Sequence, residues 1–212
     1  NRYDSFIDLL IDMRNKTSIN SRQITILIKL EFFSEFGAIN NLLETQRIFS
    51  EFYGKKQFNK EKIISFGMHE NIIRKYSGNE TEKMFTQVDA VGWLREECEN
   101  LNVKPTGIYD VAKYQLECLG YIDYTNENAS GIAMVTDVDT KYSPRLAMYS
   151  LKNGNTVNCK IEKRKFSNYK LKKGDIVKII STSYKHKKKK VEGEWVETNE
   201  LELWINRYNI IA

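Results

Sequence analysis

The chain has 212 residues, 41% of them hydrophobic, and a formal net charge of +5. This length and hydrophobic share predict that most of the chain folds, as one large domain or two small ones. No apolar run is long enough to span a membrane, and no basic segment followed by an apolar one forms a signal peptide. We therefore expect a piece of a longer cytoplasmic protein with no membrane partner.

The positive charge is concentrated at one end of the chain. Residues 1–127 contain 16 Lys and Arg against 19 Asp and Glu, a net charge of −3, whereas residues 128–212 contain 17 against 9, a net charge of +8. Such an asymmetry is typical of a domain that binds a polyanion. The alternative is a basic domain whose charge only keeps it soluble.

The first part of the chain has the apolar spacing of helices. Helices are predicted over residues 3–13, after an N-cap at Asn20-Ser21, and over about 38–53, with Gly37 as a terminator. The more polar residues 54–79 predict short helices and loops. Helical spacing returns over 79–101 and over 108–119, where Gly120 ends the last helix.

The second part alternates between apolar and polar residues, which is typical of strands. Five strands are predicted at 132–138, 145–149, 156–161, 175–180 and 200–205, and residues 162–173 leave room for a short helix. This pattern predicts an α+β chain with an N-terminal all-helical, helix-hairpin-helix-like segment followed by a five-stranded OB-fold β-barrel. The predicted domains are 1–53, a helical connecting region 54–127 and the barrel 128–212, with a polar linker at 124–129.

Alternation also assigns a face of the predicted barrel to each strand residue. The interior is predicted to hold Leu146, Met148, Val157, Cys159, Ile161, Leu201, Leu203 and Ile205. The outer face is predicted to hold Arg145, Tyr149, Asn158, Lys160 and Trp204. OB-folds hold oligonucleotides on the second and third strands, where cations neutralise phosphates and aromatic rings stack on bases. The alternative is that the aromatic residues only cover the barrel.

Two lysine clusters extend this predicted site. The first lies between the fourth and fifth strands, where a loop of an OB-fold contacts its ligand, and comprises Lys185, Lys187, Lys188, Lys189 and Lys190. The second flanks the predicted short helix and comprises Lys163, Arg164 and Lys165. A solvated loop or a nuclear-localisation signal would also explain the first cluster. Trp195, just beyond it, is expected either to stack on a base or to anchor the loop.

No catalytic constellation is visible. The two histidines, His69 and His186, belong to no triad, and no P-loop occurs. Asp137 and Asp139 could together hold a metal ion, but no further carboxylate is near in sequence. We predict no catalytic residue, no metal site and no cofactor. The three widely spaced cysteines, Cys98, Cys118 and Cys159, are predicted to be free, buried thiols.

Three stretches, in order, resemble the C-terminal region of the bacterial replicative DNA polymerase III alpha subunit. Residues 6–14 (FIDLLIDMR) and 20–37 (NSRQITILIKLEFFSEFG) resemble its tandem helix-hairpin-helix domain, and residues 114–121 (YQLECLGY) resemble the stretch before its OB domain. The resemblance implies a region that holds single-stranded template in the barrel and duplex on the helical part. Its parent would be a DNA-directed DNA polymerase, a nucleotidyltransferase whose catalytic aspartates lie outside this chain.

The resemblance also implies replisome partners, including a sliding clamp, but the sequence departs from the family at two places. Glu31 occupies the position of the hairpin glycine, where a carboxylate would repel phosphate. Residues 87–91 (QVDAV) occupy the position of a clamp-binding peptide without its aromatic residue. Two alternatives remain open: a stand-alone OB-fold adaptor that binds RNA and a protein partner, and a metal nuclease that uses Asp137 and Asp139.

Overall fold

The computed structural model describes residues 3–212, which form two compact units, one ending at Gly107 and the other comprising Ile108–Ala212. The sequence predicted boundaries after residues 53 and 127 instead. The difference arises because the region after residue 53 packs against the N-terminal helices, while the helix before residue 120 packs on the barrel. No helix among the described residues has the length and apolar character needed to cross a membrane.

The first unit is mainly helical. Its helices are α1 (Phe6–Lys16), α2 (Ser21–Lys29), a 3-10 turn (Ser34–Phe36), α3 (Ile39–Phe52), α4 (Lys60–Ser65), α5 (Glu70–Lys75) and α6 (Ala90–Glu99). The predicted cap of α2 is confirmed: the Asn20 side chain accepts a hydrogen bond from the Gln23 backbone N–H, and the Gln23 side chain accepts one from the Asn20 N–H. This reciprocal pair satisfies two backbone donors at the helix start.

The sequence predicted an all-helical N-terminal segment, but the first unit also contains a small sheet. Strands β1 (Gln57–Asn59), β2 (Ser77–Glu80) and β3 (Met84–Val88) form a small antiparallel sheet in the order β1-β3-β2. The predicted helix over 79–101 is therefore wrong in its first half. Phe85 and Val88 of β3 are buried. Their tertiary packing stabilises a strand, although the apolar spacing of this segment predicts a helix continuous with α6.

The second unit is a closed, five-stranded barrel preceded by one helix, α7 (Asp110–Leu119). The strands are β4 (Ile132–Asp139), β5 (Arg145–Ser150), β6 (Thr156–Ile161), β7 (Ile176–Val191) and β8 (Glu194–Ile210), and the short helix α8 (Lys163–Asn168) lies between β6 and β7. Their order around the barrel is β4-β5-β6-β8-β7, which β4 and β7 close. The α+β class of the chain is thus confirmed.

The last two strands are much longer than the sequence predicted. β4 pairs with β7 only at the start of each strand, where residues 132–134 lie opposite residues 176–178. β8 pairs with β6 only through residues 203–205 of β8. Residues 184–202 therefore form a two-stranded extension, which we call the hairpin arm. A two-residue turn at Glu192 and Gly193 closes it, and both turn residues have positive φ, as a type I′ turn requires.

The barrel has an inner core and a second apolar layer outside it. The inner core contains Val135, Leu146, Met148, Cys159 and Ile161 among others. The outer layer forms where α7 and the segment that follows it cover one end of the barrel. It contains Ala112, Leu116, Ile122, Ala129, Met134, Tyr149, Leu151 and Ile176. The part of the outer surface beneath α7 is thus closed to ligands.

Candidate nucleic-acid interface

A groove of about 670 Å³ lies on the open part of the barrel. Strands β4, β5 and β6 contribute Asp137, Asp139, Arg145, Ala147, Asn158 and Lys160, and the hairpin arm contributes Tyr184, Lys187, Lys188, Leu201 and Glu202. Five of the predicted binding residues therefore meet in one groove: Arg145, Asn158, Lys160, Lys187 and Lys188. Its charged lining comprises four cationic and three anionic side chains, so the groove can neutralise phosphates but is not uniformly basic.

Tyr149 does not lie on the open face, contrary to the sequence-based prediction. Its side chain is only 6% exposed and packs in the layer beneath α7. Its hydroxyl donates a hydrogen bond to the Tyr124 carbonyl at 3.2 Å, and burial raises its pKa. Strand alternation distinguishes inner from outer faces, but it does not reveal whether another element covers the outer one.

Tyr184 takes the place that the sequence assigned to Tyr149. It lies in the part of β7 that begins the hairpin arm, lines the groove and is 69% exposed. A tyrosine ring is large and rigid, and an exposed ring beside cations can stack on an unpaired base. Tyr184 was not among the residues predicted to bind, because the fourth strand was predicted to end at residue 180.

Trp204 lies on the outer face, as predicted, but its ring is already engaged. The ammonium groups of Lys185 and Lys160 lie 4.4 and 5.6 Å from the ring centre. Its indole N–H donates a hydrogen bond to Glu202, which also pairs with Lys160 at 2.6 Å. Trp204 therefore organises the lysines beside the groove, and Tyr184 is the better candidate for stacking.

The lysine run is a strand and not the loop that the sequence predicted. Lys188, Lys189 and Lys190 pair with Glu197, Val196 and Trp195 of β8. The signal that would have revealed this is the Glu-Gly dipeptide at the two-residue turn, with strand-forming valines on both sides. Strand structure holds the lysines in a fixed register and separates them onto two faces.

One face of the hairpin arm combines cations with an aromatic ring. Lys188 and Lys190 are two residues apart on β7, and Trp195 lies opposite Lys190, so all three share a face. Trp195 is 68% exposed. Because Lys188 also lines the groove, this face continues the groove toward the turn, over a distance of roughly 20 Å from Tyr184 to Lys190 at about 3.3 Å per residue.

The second predicted cluster lies outside the groove. Lys163, Arg164 and Lys165 belong to α8, and no residue of α8 lines the groove. Lys165 and Lys185 both approach the carboxylate of Glu162, at 3.4 and 3.8 Å. Lys185 thus faces α8 and Trp204, and its predicted contact with a ligand in the groove is not supported by its position.

Two residues predicted to be interior are exposed. Val157 at the start of β6 is 42% exposed, and Leu201 on the hairpin arm is also exposed. Both line the groove, because β6 begins and β8 enters the arm beyond the edge of the inner core. They give the groove an apolar floor against which the flat faces of bases can pack.

Cys159 and Asp139 both line the groove. Burial raises the pKa of the Cys159 thiol to about 12, so this sulfur stays protonated and is a poor nucleophile. The Asp139 carboxylate accepts a hydrogen bond from the Lys141 backbone N–H at 2.8 Å. Within residues 3–212, no three His, Cys, Asp or Glu side chains are grouped so that they could hold a metal ion.

The hairpin between α2 and α3 is poorly suited to phosphate. Glu31 is exposed and has φ +62°, the left-handed conformation in which glycine is favoured. Glu35 is exposed in the following 3-10 turn. Two carboxylates at the turn oppose close approach of a phosphate backbone.

The segment predicted to occupy the clamp-peptide position joins β3 to α6. Val88 and Ala90 are buried, and the Asp89 side chain caps α6 by accepting a hydrogen bond from the Gly92 N–H at 3.1 Å. An extended peptide that docks on a partner needs free side chains and a free backbone. This segment has neither at those three residues, so it does not support clamp binding.

Comparison of the chain with family models, curated proteins and solved structures gives no match in any of the three. The resemblance to the polymerase subunit therefore stays a prediction.

Proposed function

We propose that this chain binds single-stranded DNA in the groove of its barrel. The groove carries the proposal, because it brings together the residue types that a single strand requires. Arg145, Lys160, Lys187 and Lys188 supply positive charge, Tyr184 supplies an exposed ring, and Val157 and Leu201 supply apolar surface. Unpaired strands offer both phosphates and base faces, whereas a duplex hides its base faces in the stack.

We also propose that the barrel is an OB-fold. Three features support this assignment: five strands closed in the order β4-β5-β6-β8-β7, a parallel pair between β6 and β8, and the short helix α8 between β6 and β7. These are the third, fourth and fifth strands of the barrel in chain order. In OB-folds the second and third strands and the loop between the fourth and fifth contact oligonucleotides. The groove here is lined by the corresponding strands, β5 and β6, and by the hairpin arm.

The proposed setting is a bacterial replicative DNA polymerase in the cytoplasm, of which this chain would be the DNA-holding C-terminal region. The support is the order of the three resembling stretches along the chain. In that setting the parent enzyme performs nucleotidyl transfer with residues outside this chain, and the groove holds the template. Duplex binding by the helical unit receives less support, because Glu31 and Glu35 lie at its hairpin.

The test is fluorescence anisotropy of a labelled 20-nucleotide single strand titrated with residues 1–212 at several salt concentrations. Each lysine that neutralises a phosphate steepens the slope of log affinity against log salt by about 0.7. Lys187→Ala with Lys188→Ala should therefore weaken binding and flatten the slope by about 1.4. The matched control is Lys172→Ala with Lys173→Ala, which removes the same charge from a different depression of the same unit.

Three outcomes would count against the proposal. No binding at low salt would refute it. Equal losses in the groove variant and its control would place binding outside the groove. Tighter binding of a 20-nucleotide RNA or of duplex DNA than of single-stranded DNA would replace the proposed ligand, and preference for RNA would favour the adaptor alternative.

A further inference from the structure

The lysines of the groove are already paired with glutamates of β8. Lys160 lies 2.6 Å from Glu202, Lys187 lies 2.7 Å from Glu200, and the third pair joins Lys188 to Glu197 at 3.3 Å. The Lys187 ammonium also lowers the pKa of the Glu200 carboxyl, so the carboxylate stays charged. Each of these three lysine ammonium groups therefore already has a carboxylate partner before any phosphate binds.

The remaining cation of the groove differs from the three lysines. Arg145 lies opposite Asp139 and Lys160 in neighbouring strands, but within residues 3–212 its guanidinium forms no ion pair. A guanidinium can bind phosphate through two parallel hydrogen bonds. Arg145 is therefore free to contact a ligand without first losing a partner.

We propose that the glutamates of β8 compete in cis with phosphate for the groove lysines. Binding would then begin at Arg145 and proceed as each phosphate displaces a carboxylate from its lysine. This inference rests on the proposed function and adds a discrimination to it. A ligand must present several phosphates in a row to displace several carboxylates, so a mononucleotide should not bind where a long strand does.

The arrangement of the three glutamates along β8 supports competition with phosphate over a merely structural role for their ion pairs. The three glutamates recur on one strand at residues 197, 200 and 202, and each faces a different lysine that lines the groove. The pairs at Glu197 and Glu200 are exposed, with both side chains of each pair about half open to solvent or more. Exposed pairs contribute little to stability, so an incoming polyanion can exchange them at small cost.

The test is a double-mutant cycle measured by anisotropy with the same 20-nucleotide strand and the intact chain. Glu197→Gln with Glu200→Gln keeps the size of both side chains but removes their charge. We expect affinity to rise about three- to tenfold, which lies within the range that release of two exposed pairs allows. The matched control is Glu192→Gln with Glu194→Gln, which removes the same charge from the arm at residues that form no ion pair within residues 3–212. The control should change affinity less than twofold.

The second half of the cycle separates competition from simple repulsion. In a background of Lys187→Ala with Lys188→Ala, the two Glu→Gln substitutions should no longer raise affinity, because there is no lysine left to release. A gain that persists in that background, or an equal gain in the control, would overturn the inference. If the wild-type chain binds the strand but Glu197→Gln with Glu200→Gln brings no gain in affinity, the inference is overturned and the proposed function is left intact. Absence of binding in every variant would overturn both.

Discussion

Lys190 lies directly opposite Trp195 across the hairpin arm, so an ammonium group and an exposed indole share one face, while the adjacent pair of Lys189 and Val196 shares the other. The first face continues from the groove through Lys188. The arm therefore provides its own control, because neighbouring residues of the same type point to opposite sides.

Trp195→Ala should weaken binding of a 20-nucleotide strand by about 5- to 150-fold, since stacking on one base contributes about 1–3 kcal/mol. Val196→Ala should leave affinity within twofold. Lys190→Ala should likewise weaken binding more than Lys189→Ala, although both remove one charge. Anisotropy titrations of the four variants measure this, and equal losses within each pair would show that the ligand does not follow this face.

Tyr184 and Tyr149 should respond oppositely to substitution. Tyr184→Ala is expected to weaken binding without changing the free energy of unfolding, because its ring is exposed in the groove. Tyr149→Ala should lower the free energy of unfolding by about 3 kcal/mol or more by emptying a buried site. Tyr149→Phe removes only the hydrogen bond to Tyr124 and should lower it by about 1 kcal/mol with unchanged affinity. Urea unfolding and anisotropy on the same samples distinguish the two roles; a loss of affinity in Tyr149→Phe would return Tyr149 to the binding site.

Glu31 ends α2 in a conformation that suits glycine. The Phe32 N–H donates to the Leu27 carbonyl and the Glu31 N–H to the Ile28 carbonyl, which is the Schellman arrangement with Glu31 in the left-handed position. Glu31→Gly should raise the free energy of unfolding by about 0.5–1 kcal/mol. Glu31→Ala removes the same carboxylate but keeps the strain, so it should bring no comparable gain. Urea denaturation compares the two variants, and equal stabilities would mean that glycine relieves no strain at this left-handed position.

Glu97 is a buried carboxylate that accepts hydrogen bonds from two residues of the first unit. One oxygen accepts from the His69 backbone N–H at 3.1 Å and lies 2.7 Å from the His69 ring Nδ1, and the other accepts from the Trp93 indole N–H at 3.1 Å. Glu97→Gln would place an amide NH₂ against one of these N–H groups. We expect the free energy of unfolding to fall by about 2 kcal/mol or more. Trp93→Phe removes one donor and leaves the acceptor half-satisfied. If Glu97→Gln proves no more harmful than Glu99→Gln at an exposed position of the same helix, the network has no structural role.

Local signals in the sequence predicted much of this fold correctly. Asn20 with Gln23 marked the start of α2, Gly120 marked the end of α7, and alternation located β4, β5 and β6. These features depend on residues close in sequence, so they can be recognised without the tertiary structure. The length of β7 and β8 could not be judged in the same way, because a run of lysines resembles a solvated loop until its partner strand is known.

The candidate site was predicted less well than the fold, for a related reason. Arg145, Asn158 and Lys160 were found by alternation, and the structure brings them to the groove. Tyr149 failed because α7 covers its face, and Tyr184 was missed because it lies beyond the predicted end of its strand. The pairing of lysines with glutamates was invisible, since it depends on the register between two strands.

The most direct test of the central claim is backbone amide chemical-shift mapping of residues 1–212 during titration with a 20-nucleotide DNA single strand. Binding in the groove predicts the largest shifts at Arg145, Asn158 and Tyr184, with a continuation along the arm to Trp195 and only small shifts in the first unit. Shifts confined to the first unit or to α8, or no shifts at low salt, would contradict the account of the groove as the site that holds a single strand.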